Sequence, residues 1–350
     1  MAERGEKLII SSPVFSLQLG TKTMIVLSSD LAVKDVLDKR SGNYSDRPDM
    51  FIGQKVASGD LRLVVMRYGD TWRGIHRMIH NILNMKAAVT YTPYQDLENK
   101  IMLKGFLEEP QIFLDHVRRY TFSLSTQLIF GYRCPDMNDA NLKELFNFAN
   151  WGELAASGSA QILDLFPILQ KLPKWLAPNV KYAESLFKKE SAHYLRMWMR
   201  AKEGLRNGDS HVRMPTHLDF TTLYQSATGD CTKRDNFIFG AGRRLCQGIH
   251  IAERSLFLAI SRLAWGFNFS PSIGEDGKPI TYNVDDLVGG ITVEPRHYTC
   301  RIECRTTDKA RIIREEAQMS QDLLNSETGQ WKESPKGMAF STWVPEKTEA

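Results

Sequence analysis

The tightest constraint on this chain is one short stretch, Phe239-Gly240-Ala241-Gly242-Arg243-Arg244-Leu245-Cys246-Gln247-Gly248, which leads directly into an amphipathic segment over 249–264. It sets a cysteine on a glycine-rich loop at the mouth of a helix, flanked by arginines, with an aromatic ring seven residues upstream. A thiol becomes a good metal ligand when its pKa is lowered, and helix N-terminal N–H groups favour the negative charge. The glycines allow close approach of the backbone to something flat and bulky. Arg244 offers a planar fork suited to a carboxylate. Taken alone, Cys246 also reads as a buried, inert cysteine, the common fate of a lone one.

A thiolate together with an arginine for a propionate is what holds haem by an axial sulfur. The pattern Phe-x-x-Gly-x-Arg-x-Cys-x-Gly resembles the haem-ligand signature of the cytochrome P450 family, the haem-thiolate monooxygenases, in their fungal microsomal form. Phe239, Gly242, Arg244, Cys246 and Gly248 occupy its defining positions. Gln247 departs from it, since the family more often has an apolar residue or proline there. The resemblance implies Cys246 as the metal ligand, and Phe239, Gly242, Arg244 and Gly248 as haem-binding residues. It further implies a mainly α fold with a small β-region.

Residues 13–19 and 22–28 are β-rich and joined at Gly20-Thr21, a hairpin pattern. Ser29 or Asp30 can cap the helix that follows. The stretch 67–73 resembles the entry to the family's C helix, where a tryptophan and an arginine four residues on reach a haem propionate. Trp72 is in place, but His76 stands at the second position. Trp72 and His76 are therefore candidate cofactor-binding residues, with Arg73 or Arg77 as substitutes for the missing charge. Core packing is the plain alternative for Trp72. His76 and His80 lie four apart on one helix, but a zinc pair needs further ligands.

The segments 94–108, 111–130, 140–152 and 178–206 have helical period. The apolar stretches 163–169 and 172–176 resemble the F–G region, which either dips into a membrane surface or packs on the domain. Residues 287–305 alternate as strands around a turn, with Gly289, Gly290 and Ile291 as candidate substrate contacts. From about Ala317 onward the polar sequence is expected to be disordered.

The family's oxygen-activating helix carries a small-Gly-x-acid-Thr motif, and a later helix a Glu-x-x-Arg. Both belong between the charged helix and the cysteine loop, where this chain has only 207–235. Neither motif occurs there. Glu203-Gly204-Leu205-Arg206 matches the second by spelling, but reads as chance on a charge-rich helix. The fold is therefore expected to be P450-like but incomplete, without the distal and central helices. It would have an N-terminal part over 1–206, a junction over 207–235, the haem loop and C-terminal β-region over 236–316, and a tail over 317–350. No catalytic residue is identified. The open distal side favours release of reduced oxygen over its insertion.

Of the 350 residues 42% are hydrophobic and 25% charged, a globular composition with enough apolar residues for a sizeable core. Net charge is +4, from 45 basic and 41 acidic residues, too balanced to argue for nucleic acid. Cys134, Cys231, Cys246, Cys300 and Cys304 are scattered and odd in number, the pattern of a reducing compartment. Cys300 and Cys304 sit in a strand-like segment, where free thiols are the simpler reading than a zinc pair. No apolar run approaches the length of a bilayer crossing. The resemblance implies haem, O2, NADPH–cytochrome P450 reductase and a small apolar substrate. Family members usually sit on the endoplasmic reticulum by an N-terminal anchor. The polar start Met1-Ala2-Glu3-Arg4 lacks one, which leaves a cytoplasmic location as the other expectation.

Overall fold

The computed structural model describes residues 12–20, 22–148, 150–171, 173, 177–207, 237–288, 294–333 and 335. Within these, the chain forms two compact units. One draws on residues 12–80, 151–188 and 237–249, the other on 81–150, 189–207 and 250–335, as far as these are described. The architecture is mainly α, with three two-stranded sheets among the described residues.

The first unit opens with the expected hairpin, β1 (Val14–Leu19) against β2 (Lys22–Leu27), antiparallel, with Phe15 opposite Val26 and Leu17 opposite Met24. Gly20 turns the corner at φ +57°, a conformation that favours glycine. Helix α1 (Asp30–Val33) is capped by Ser29, whose hydroxyl accepts from the Ala32 amide at 3.2 Å. It continues into a wider π turn over Lys34–Lys39. A second π segment, Phe51–Val56, is pinned by the Asp164 carboxylate, which accepts from the Phe51 amide at 2.7 Å. Trp151 Nε1 donates to Gly53 O at 2.7 Å, and Arg62 lies 4.2 Å over the Trp151 ring. Trp151 opens the first-unit part of α7 (Asn150–Ala156), which α8 (Gly158–Leu165) follows. The apolar stretch 163–169 is thus partly helical, and Leu163 is buried. Residues 172 and 174–176 lie outside the described residues.

The second unit is built on α4 (Thr92–Glu108) and α5 (Phe113–Phe130). Its core gathers Tyr94, Met102, Phe106, Tyr120 and Leu124 with Phe267, Ile302, Ile313 and Trp331. Glu98 is fully buried between two guanidiniums, accepting from Arg119 Nη1 at 2.7 Å and from Arg133 Nε at 2.6 Å. Burial works to raise its pKa, but Arg119 and Arg133 hold it below the usual value. The short helices α3 (Met85–Thr90) and α6 (Ala140–Phe148) belong to this unit too, whereas α2 (Asp70–Leu83) lies mostly in the first unit and α9 (Pro178–Asn207), the longest helix described, is divided between the two units. Arg206, of the chance Glu-x-x-Arg, is exposed near its end.

After the cysteine loop come α10 (Ile249–Gly266), β3 (Phe267–Pro271), β4 (Leu287–Val288), β5 (Glu294–Pro295), β6 (Cys300–Cys304) and α11 (Thr307–Gln321). β3 pairs antiparallel with β6, Phe269 facing Ile302. Gly289, Gly290, Ile291 and the junction 208–235 lie outside the described residues.

The expectation of a disordered tail from Ala317 is corrected as far as residue 333; residues 334 and 336–350 lie outside the described residues. α11 continues through Ala317 to Gln321, with Ile313 and Ala317 buried. The chain then turns back, and Leu324 bridges Trp331, which is itself buried. Gln330 exchanges two hydrogen bonds with the Arg133 backbone, at 2.8 and 2.9 Å. The sequence looks polar because a single apolar face and one tryptophan do the packing.

Candidate cofactor site around Cys246

The loop carrying Cys246 lies in the first unit and is ordered by its own backbone. Gly240 N donates to Phe237 O at 2.8 Å, and Cys246 N donates to Phe239 O at 2.8 Å. Gly242–Arg244 forms a single 3-10 turn. Gly242 has φ +58°, and a Cβ added there would lie 1.9 Å from Leu37 O. Its amide donates to Asp38 Oδ1 at 2.6 Å. The close neighbour that demands glycine at this position is therefore the π turn Lys34–Lys39. Cys246 is a free, exposed thiol, and a Cβ at Gly248 would stand 3.8 Å from its sulfur.

Arg244 is the best-anchored side chain of the site. Its Nε donates to Ser45 O at 2.7 Å and its Nη2 to Met66 O at 2.8 Å. Its guanidinium lies 4.3 Å over the ring of Trp72, which is 5% exposed. The remaining nitrogen, Nη1, is buried and has no partner among the described residues. Burial, then the nearby Arg47, pulls the Arg244 pKa below its ordinary value. A desolvated cation with an unused donor calls for an anion.

Trp72 also stacks on Tyr68 at 5.1 Å and on His76 at 4.3 Å. Burial, followed by His80 and Arg244, lowers the His76 pKa to about 4. His76 is therefore neutral near pH 7 and supplies no charge to an anion. Arg73, one suggested substitute, is engaged with Asp70 on the exposed start of α2. Arg243 Nη1 donates to the Tyr68 hydroxyl at 2.9 Å. Gln247 Nε2 donates to His76 O at 2.7 Å, tying the loop to α2.

The structure thus brings Gly242, Arg244, Cys246, Gly248, Trp72 and His76 into one neighbourhood, with Phe239 joined through its carbonyl. Sequence reasoning missed Asp38, Ser45, Met66 and the Gln247–His76 tie. Ser45, Met66 and His76 act through backbone carbonyls and Asp38 from a distant turn, for which no local pattern exists. A cleft of about 400 Å³ shares Met66, Tyr68 and Trp72 with this neighbourhood. Cys246 is not among its lining residues. Among the described residues no cluster of His, Cys, Asp and Glu could hold a metal by itself. An exposed sulfur beside an unpartnered guanidinium N–H does fit a porphyrin that brings its own metal and carboxylates.

The Cys300 and Cys304 sulfurs hydrogen-bond to carbonyls, Ser270 O at 3.4 Å and Thr306 O at 3.3 Å. No described helix is long and apolar enough to cross a membrane.

The Cytochrome P450 family model matches residues 10–227. The chain is 32% identical to cytochrome P450 monooxygenase virE of Hypocrea virens, over 95% of this chain and 86% of the relative. It is 30% identical to cytochrome P450 monooxygenase fogE of Aspergillus ruber, over 94% and 87%. The span aligned with virE runs to 476 residues, against 350 in this chain, so a large part of it has no counterpart here. Among solved structures, a zebra fish cytochrome P450 in complex with progesterone superposes with a TM-score of 0.55 at 16% identity, covering 85% of this chain and 98% of that one. That likeness speaks for the fold, which matches the expected mainly α architecture with its small β-region, and the shorter length agrees with an incomplete version of it. With more than half its length matched by the family model, and monooxygenases aligned along nearly all of it, the chain belongs to the cytochrome P450 family.

Proposed function

We propose that this chain binds haem through the Cys246 sulfur, in the manner of a haem-thiolate monooxygenase. The observation that carries the reading is the buried, unpartnered Nη1 of Arg244, two residues from an exposed free thiol. Arg244 Nη1 would donate to a propionate, while Ser45 O and Met66 O hold the rest of the fork in place. Trp72 keeps water off the guanidinium, which strengthens that contact. Gly242 and Asp38 hold the turn from which Cys246 is presented. His76 supports Trp72 by stacking, without charge. Haem bound there would supply the O2 chemistry of the family, with one oxygen atom inserted into a small apolar substrate. The electrons would come from an NADPH–cytochrome P450 reductase. By family, the setting would be the endoplasmic reticulum surface.

A second reading separates binding from turnover. The aligned span of 476 residues against a chain of 350, and the missing oxygen-activation motif, favour a catalytically inactive remnant that at most binds haem. The two readings part in one experiment. Purified protein is supplied with hemin, reduced, and exposed to carbon monoxide. A strongly red-shifted Soret band that Cys246→Ala abolishes supports thiolate ligation; absence of hemin uptake overturns it. With reductase and NADPH present, product formation supports the monooxygenase. Hydrogen peroxide without product supports the remnant.

A further inference from the structure

The cleft of about 400 Å³ is formed by one continuous stretch of chain. Every described residue lining it falls between Pro48 and Trp72, from the π segment Phe51–Val56 to the start of α2. Met50, Leu61, Met66 and Trp72 give it apolar surface. Gln54 also lines it and is 4% exposed, yet Nε2 and Oε1 of its carboxamide have no partner among the described residues. An amide kept from water without hydrogen bonds costs stability. Carbonyls close by are already engaged: Gly53 O accepts from Trp151 Nε1 and Ser58 Oγ, and Gln54 O accepts from the Asp60 amide at 2.9 Å. The last torsion of a glutamine is soft, so the carboxamide can turn toward a guest at little cost.

The charges around the cleft are unevenly matched. Asp49 pairs with Lys55 at 2.9 Å, Arg67 with Asp46 at 2.8 Å, and Asp70 with Arg73. Asp60 lines the cleft as well and has no ion-pair partner among the described residues. Its amide bond to Gln54 O sets the two residues side by side. Its φ is +61°, a left-handed conformation that aspartate and asparagine tolerate better than most residues. Tyr68 and Trp72, by contrast, already carry guanidiniums, Arg243 at 5.8 Å and Arg244 at 4.3 Å over their rings. A further cation is therefore favoured beside Asp60 and repelled beside the rings, which suit an apolar group. We propose that this cleft binds a small amphipathic amino alcohol. Its ammonium lies between Asp60 and Gln54 Oε1, its hydroxyl oxygen accepts from Gln54 Nε2, and its hydrocarbon tail covers Met66 and Trp72. The site stands apart from the haem reading, since no described residue of the cysteine loop lines it.

Calorimetric titration of the full chain without hemin tests this, with three probes of one chain length: 2-amino-1-octanol, 1-octanol and octanoate. The amino alcohol should bind about fivefold tighter than the alcohol at low salt, the size of one partly exposed ion pair. Octanoate should bind weakest, and added salt should narrow the differences. Asp60→Asn keeps a residue suited to the left-handed backbone; it should abolish the preference for the amine and leave 1-octanol unaffected. Gln54→Met is unbranched like glutamine and should weaken both hydroxyl-bearing probes. The same variant should melt no lower than the parent, because the orphaned amide is gone. Equal affinity for amino alcohol and alcohol, or a preference that survives Asp60→Asn, overturns the proposal. So does affinity indifferent to Gln54→Met, or an absence of binding by all three probes. With no iron in the titration, a failure of haem ligation leaves its outcome untouched.

Discussion

The Arg244 guanidinium lies 4.3 Å over the Trp72 ring, and the same ring stacks on His76 at 4.3 Å. Arg244 reaches Ser45 O and Met66 O with two of its nitrogens and leaves the third unused. Lysine keeps the charge, but its donors sit on a single nitrogen that cannot span the positions the planar fork reaches. Arg244→Lys is expected to weaken hemin binding by about tenfold, the size of one charge-assisted hydrogen bond. A hemin titration followed at the Soret band checks this, and equal affinity of the two proteins would remove Arg244 from the site.

Gly242→Ala should be severe. The added Cβ meets Leu37 O at 1.9 Å, and the φ of +58° is unfavourable to any side chain. The expected loss is at least about 2 kcal/mol, read as a lower urea midpoint. Gly74, in open space on α2, is the control: Gly74→Ala should stabilise by up to about 1 kcal/mol.

His76 makes stability depend on pH. Its folded pKa of about 4 lies below the ordinary 6.5, so the unfolded chain binds the extra proton between those values. The contribution is complete above pH 6.5 and is lost as pH falls toward 4. Urea midpoints at pH 7 and pH 5 should differ less in His76→Gln than in the parent. His116, also lowered by burial, retains part of the slope.

Among the described residues, Glu98 is the only carboxylate paired with Arg119 and Arg133, and all three are buried. Glu98→Ala leaves two guanidiniums out of water with no counter-charge, at a cost of about 3–5 kcal/mol. Equilibrium unfolding in urea measures it, and a change under 1 kcal/mol, below that range, would show that water reaches the cluster.

Trp331→Ala tests the ordered C-terminal segment. The ring packs edge-on to Tyr94 at 5.3 Å and is 7% exposed. The expected cost is about 3–5 kcal/mol. Unaltered stability would mean that this segment contributes nothing to the core.

What could be read in advance, and what could not, divides along physical lines. The hairpin at Gly20, the Ser29 cap and the helices around Leu103, Leu124 and Leu263 are local signals of period and capping. The loop motif was legible because its chemistry is written in consecutive residues. The strand Phe267–Pro271 and the ordering of Trp331 were not. A five-residue strand has too little period to stand out, and Trp331 is held by Arg133 and Tyr94, which lie far away in sequence. The neutrality of His76 was also out of reach, since it arises from burial against Trp72 and from Arg244.

Because Gly242 is moulded by Leu37 O and Asp38, the contour of the cysteine loop is written by polypeptide against polypeptide. Such a seat can be standing before any guest arrives. Assembly would then be an insertion into a finished berth, and the emptied protein would keep the berth's outline after its occupant is stripped away.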